Sequence, residues 1–205
     1  AEATASFAKL ASGRLSDRSR RRKPWILAGY GLAALSKPLF PLAAGPVEVM
    51  GARFADRIGK GIRGAPRDGM IADETPPEIR GRAFGLRQSL DTVGAFLAPL
   101  AAVGLMIWFA NDIRAVFWVA VIPAALSFLF AWIMLRESRD HAAIKPKMKW
   151  AGFRNLNQPV KRLLAVGFLF GLARFSESFL ILKAMDSGLS TQWSPLVLAL
   201  FNLAF

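Results

Sequence analysis

The sequence predicts an all-α protein that crosses a lipid bilayer several times. Two charge-free runs, Thr92 to Ala110 and Ala115 to Leu135, are each long enough as helices to span about 30 Å of hydrocarbon at about 1.5 Å per residue. Composition agrees. Of 205 residues 54% are hydrophobic and sixteen are Phe, more apolar side chain than a soluble domain of this size buries, and the mean hydropathy is +0.35. The third observation is where the charge sits. The formal net charge is +13, but Lys and Arg gather at the ends of apolar runs, as membrane topology requires. That placement argues against a nucleic-acid partner and for the lipid bilayer.

The chain opens on Ala1-Glu2-Ala3-Thr4, without Met and without the basic region and apolar core of a signal peptide. It stops inside the apolar run Leu200–Phe205, so an internal piece of a longer protein is expected. The absence of Cys excludes disulfides and thiolate metal sites. No metal-ligand spacing and no nucleophile–base pair stands out, and the single His, His141, falls in a polar stretch. Neither a metal, a cofactor nor an enzyme is expected.

In chain order, Ala1 to Ser12 reads as the tail of a membrane helix, and Gly13 to Pro24 as a short basic turn. Pro24 suits the first turn of the next helix, where its missing N–H costs nothing. That helix runs from about Trp25 to Ala44, with a kink expected at Lys37-Pro38, and Gly45-Pro46 turns the chain. A charged helix follows from about Val47 to Asp73, then a polar loop, Glu74 to Arg82. A span from about Ala83 to Trp108 is turned by Asn111-Asp112, and Arg114 to Leu135 returns. Arg136 to Arg162 is a basic connector, Leu163 to Lys183 a further span, Asp186 to Gln192 a short loop, and Trp193 opens a last span. Basic loops (13–24, 74–82, 136–162) alternate with loops carrying Arg114 alone (45–46, 111–114, 186–192). The positive-inside rule puts the first set in the cytoplasm.

The charged helix is the element to explain. At about 100° per residue, Arg53, Asp56, Arg57, Lys60, Arg63, Arg67 and Asp68 share one arc, while Phe54, Ile58, Ile62 and Ala65 lie opposite. If this helix crosses the membrane, that face cannot meet lipid, because each charge at the bilayer centre costs about 2.5–3.5 kcal/mol. It must face a water-filled cavity or partners on other helices. Asp91 of the following span is a natural partner, with Arg87 one turn before it. The blander alternative is a permanent salt-bridge cluster between two helices. Farther on, Arg174 and Glu177 fall one turn apart on one face. Glu177 lies about 21 Å along its span, where a carboxyl needs a cation or water and is suited either to carrying a proton or to a static pair with Arg174.

Gly13-x-Leu15-x-Asp17-Arg18-x-x-x-Arg22-Lys23 resembles the motif between the second and third helices of the major facilitator superfamily, with Arg20 where the family has Gly. On that register the charged helix is the fourth, and Arg57-Ile-Gly-Lys-Gly61 resembles its Arg-x-x-x-Gly signature. In the fifth, Gly85, Gly94, Ala98-Pro99 and Ala102 follow the spacing of the antiporter motif, with Ala at two Gly positions. The resemblance covers the whole chain and implies part of a 12-helix fold. Residues 1–138 would be the N-terminal six-helix bundle without helix 1 and most of helix 2, residues 139–162 the central cytoplasmic loop, and residues 163–205 the start of the C-terminal bundle.

The same resemblance implies a secondary transporter working by alternating access, with Arg57 at the position implicated in proton coupling. Arg53, Asp56, Arg57, Lys60, Arg63, Asp91, Arg174 and Glu177 are the expected transport and coupling residues. Gly13, Asp17, Arg18 and Arg22 are the expected conformational gate, and Gly61, Gly85, Gly94, Ala98 and Pro99 the expected packing positions. Proton-coupled export of a small molecule across a bacterial inner membrane is the first expectation. The net cationic stripe, five Lys/Arg against two Asp, keeps uptake or exchange of an anionic solute open, and a non-transporting membrane scaffold is the alternative from another class.

Overall fold

A computed structural model describes residues 2–19, 21–137, 157–173 and 177–204, and among them every regular element is helical. The helices are α1 (Glu2–Ser19), α2 (Lys23–Ser36), α3 (Leu39–Leu42), α4 (Pro46–Glu74), α5 (Arg80–Trp108), α6 (Ile113–Met134), α7 (Gln158–Ala173), α8 (Glu177–Asp186) and α9 (Ser194–Ala204). The connector expected at 139–162 is helical from Gln158 onward. Its earlier part, and Arg174, lie outside the described residues.

Most breaks follow backbone chemistry. Pro24 enters α2 in its first turn, and Lys37-Pro38 separates α2 from α3 as expected, since Pro lacks the N–H that would continue the ladder. Asp112 caps α6, its Oδ1 accepting from the backbone N–H of Arg114 at 2.9 Å and of Ala115 at 3.2 Å. One expectation fails. Gly13–Ser19 is not a turn but the last part of α1. A lone Gly and polar side chains do not stop a helix that packs along one side, and here Ser12 and Ser16 are buried against α4 and hydrogen-bonded to carbonyls three residues back. Between α1 and α2, Arg21 and Arg22 are the described residues outside a helix.

Helix α4 lies between α1 and α2, and the contact depends on missing side chains. A Cβ placed on Gly61 would sit 2.5 Å from the Ala5 carbonyl oxygen, and one on Gly59 would sit 2.8 Å from that of Gly29. Both are inside ordinary van der Waals contact, so these backbones approach as closely as Gly allows. Ser12 Oγ donates to the Gly61 carbonyl at 3.2 Å across the same seam. Helix α2 also packs on α6, where Phe40 of α3 stacks on Phe117 with centroids 5.6 Å apart. Helix α5 packs on α9 and buries Val103 and Met106.

The helix from Pro77 to Trp108, including the short 3-10 turn before α5, and α6 are both long and apolar enough to cross a membrane. No residue of α6 is buried. Its bare Phe, Trp, Leu and Ile side chains suit lipid, which solvates apolar surface without cost.

Candidate functional site

The charged face of α4 is gathered against α1, α2 and α5. On the α2 side, Lys37 Nζ meets Asp56 Oδ1 at 2.9 Å and lies 5.7 Å from the Phe40 ring centre. One helical stretch farther along, the Arg63 guanidinium sits over Tyr30, 4.5 Å from the ring centre, a cation–π contact that holds charge without a counter-ion. On the other side is a five-residue network. Asp68 accepts from Lys9 at 3.1 Å and lies 3.5 Å from Arg87. Arg87 reaches Asp91 at 2.9 Å, and Arg67 stands 3.8 Å from both Asp68 and Asp91. The i,i+4 relation of Arg87 and Asp91, read from the sequence, is therefore a direct ion pair.

A groove of about 530 Å³ runs beside this network, and Lys9, Lys60, Arg63, Arg67, Arg87 and Asp91 are among its lining residues. Small residues make it possible. Ala5, Gly61, Gly64 and Ala95 line it too, leaving room that larger side chains would fill. Arg53 and Lys60 are exposed, and Arg57 is half-buried.

The basic motif forms a second cluster at the Glu74 end of α4. Arg22 is 5% exposed. Its Nε donates to Asp73 Oδ2 at 2.6 Å and its Nη1 to Asp17 Oδ1 at 3.2 Å, while the guanidinium lies over Gly69, where any Cβ would collide with it. Glu137, just past α6, accepts from the backbone N–H groups of Arg22 at 2.6 Å and of Lys23 at 3.2 Å. A carboxylate there answers the exposed N–H groups and positive end of α2. Of the expected gate residues, Asp17 and Arg22 meet, Gly13 packs against Ala65, and Arg18 is exposed.

Sequence reasoning missed Lys9, Tyr30, Asp73 and Glu137. Asp73 and Glu137 carried a signal, each an acid at the end of a helix beside a basic loop. Lys9 and Tyr30 carried none, since their roles depend on how α1 and α2 are rotated. The expected packing positions divide. Gly61 is packed tightly, but nothing among the described residues lies within 4 Å of a Cβ on Gly85 or Gly94. Ala98 is exposed, and α5 continues through Pro99. The close approaches fall on Gly29, Gly59 and Gly61, because among the described residues α4 packs closely against both α1 and α2. Glu177 opens α8, and its pairing with Arg174 lies outside the described residues.

Comparison with known proteins agrees with the motif and the geometry. A protein of Mycobacterium tuberculosis (strain H37Rv) described as uncharacterized is 35% identical over 143 residues, 69% of this chain and 35% of the relative. An uncharacterized MFS-type transporter of Methanocaldococcus jannaschii is 28% identical over 174 residues, 85% of this chain and 43% of the relative. The multidrug resistance protein MdtH of Proteus mirabilis is 29% identical over 140 residues, 67% of this chain and 34% of the relative. The chain thus spans less than half the length of the curated relatives it matches. The family model described as Major Facilitator Superfamily matches residues 2–205. With its all-helical fold and apolar spans, this chain belongs to the Major Facilitator Superfamily, a family of integral membrane transporters and not of enzymes.

Proposed function

We propose that the protein to which this chain belongs is a secondary transporter that exports a small molecule in exchange for protons. The carrying observation is the network joining α1, α4 and α5, in which two carboxylates, Asp68 and Asp91, serve three cations, Lys9, Arg67 and Arg87. Such a network can exist in two arrangements, since protonating either acid frees a cation to take another partner. Arg57 and Asp91 are the coupling residues in this proposal, with Arg53, Asp56, Lys60, Arg63, Arg174 and Glu177 supporting them. Asp17, Arg22, Asp73 and Glu137 act as a latch on the cytoplasmic side. The proposal also takes residues 1–138 as the first bundle, 139–162 as a cytoplasmic loop and 163–205 as the start of the second.

Resemblance to a multidrug resistance protein supports export. The groove supports a second mode, uptake or exchange of an anionic solute, because five of its charged lining residues are cations and one is an acid. A cellular experiment separates the modes. Cells expressing the full-length protein are loaded with ethidium or supplied with labelled succinate, and retention is followed with and without a protonophore. Export predicts faster ethidium loss that stops when the proton gradient collapses. Succinate accumulation with unchanged ethidium retention selects the second mode, and no change in either solute removes both.

A further inference from the structure

We propose that the groove between α1, α4 and α5 is a binding site for a soluble organic anion carrying two or more negative charges. This rests on the chain being part of a solute transporter, and it names the class of solute without fixing the direction of movement. The first support is a charge excess. Five cations around the groove, Lys9, Lys60, Arg63, Arg67 and Arg87, share two carboxylates, Asp68 and Asp91, which leaves three positive charges. Among the described residues Lys60 and Arg63 meet no carboxylate at ion-pair distance, and Arg63 rests on the Tyr30 ring instead.

Spacing is the second support. Lys60, Arg63 and Arg67 occupy i, i+3 and i+7 on one helix, so their side chains emerge along one face at steps of about 4.5 and 6 Å. Arg63 and Arg67, one turn apart, repel each other, and an anion bridging them removes that repulsion. The planar guanidinium offers two parallel N–H donors to a carboxylate or phosphate. Arg67 Nε and Arg87 Nε are buried without a hydrogen bond among the described residues; Asp68 Oδ1, equally unbonded, lies 3.8 Å from Arg67 Nε, beyond hydrogen-bond reach. Buried donors of this kind call for an acceptor.

Depth favours a soluble ligand over a lipid headgroup. Lys60 is the central residue of α4, which runs from Pro46 to Glu74, so it lies about 21 Å from either end of the helix. Headgroups occupy only the outer several ångströms of each leaflet. A volume of about 530 Å³ is ample for a small di- or tricarboxylate or a phosphate ester.

The test is equilibrium binding to the full-length protein in nanodiscs of phosphatidylcholine alone, by calorimetry at constant ionic strength. Inorganic phosphate and succinate are the probes, and choline is the control. The proposal expects both anions to bind and choline not to. Affinity should fall about ten- to a hundred-fold in Arg63→Gln. Lys60→Gln should act in the same direction, and because Lys60 is exposed it leaves packing untouched. Arg63→Lys, which keeps the charge, should retain most binding. Absence of anion binding at millimolar concentration overturns the proposal, as does binding that neither Gln variant alters. Retention of co-purified phosphatidylglycerol that Arg63→Gln abolishes, without phosphate or succinate binding, assigns the groove to a lipid headgroup and also overturns it. Because no flux is measured, failure here stays distinct from failure of the transport proposal.

Discussion

Removing the Asp73 carboxylate should destabilise the Arg22 cluster several-fold more, in free energy, than removing that of Asp17. Both acids hold Arg22, at 2.6 Å and 3.2 Å, but their side chains are 15% and 61% exposed, against 6% for Arg22 itself. An exposed ion pair is worth about 0–1 kcal/mol, because water competes for both partners and the side chains give up freedom to hold one geometry. Breaking a buried pair costs about 3–5 kcal/mol, because it strands a desolvated charge. Asp73 keeps some contact with water, and Asp17 stays in reach of the stranded guanidinium, so the lower end applies. Asp73→Ala should therefore cost about 3 kcal/mol and Asp17→Ala less than about 1 kcal/mol. The assay is SDS-titrated unfolding of the full-length protein in mixed micelles, with double-mutant cycles against Arg22→Ala to isolate each pair. Equal coupling energies for the two acids, or none between Arg22 and Asp73, would show that burial does not set the strength of these pairs.

Four further outcomes are expected. Gly61→Ala should destabilise the protein by about 1–3 kcal/mol by overpacking, since contact at 2.5 Å with the Ala5 carbonyl forces α1 away from α4. Gly85→Ala, where no described residue lies within 4 Å of the added Cβ, should be neutral or gain up to about 1 kcal/mol of helix propensity, and thermal melting of the two variants ranks them. Arg57→Ala and Asp91→Asn should abolish gradient-driven flux while membrane expression stays near normal; loss of protein in step with activity would show a purely structural network. Glu177→Gln should block net proton-driven transport yet preserve solute exchange, measured in proteoliposomes, and unchanged proton-coupled flux would remove Glu177 from the mechanism.

Much of this arrangement is legible in the chain because membrane helices obey two strong constraints. Apolar length sets the spans, and charge cannot face lipid. Together they pick out α5 and α6 from their charge-free runs and single out α4 from its stripe. The break at Lys37-Pro38 and the cap at Asp112 are equally local. What could not be read depends on helix rotation and on partners distant in sequence. Nothing near Lys9 says that α1 turns it toward Asp68, and nothing near Tyr30 says that Arg63 will lie over its ring. The continuation of α1 through Gly13–Ser19 was hidden for the same reason, since burial of Ser12 and Ser16 against α4 outweighs weak helix propensity. At Gly85 and Gly94 small size reads as room for a close approach, and among the described residues nothing lies within 4 Å of an added Cβ.

If carboxylates in the α4–α5 network exchange protons as solute moves, reconstituted protein should report that exchange as a change in lumenal pH. Full-length protein is placed in proteoliposomes that enclose a pH-sensitive dye and either succinate or ethidium, with the membrane potential clamped by potassium and valinomycin. Solute leaving down its gradient should draw protons inward and acidify the lumen, and Asp91→Asn should abolish the acidification. Saturable solute exit with no change in lumenal pH would show that solute moves without protons.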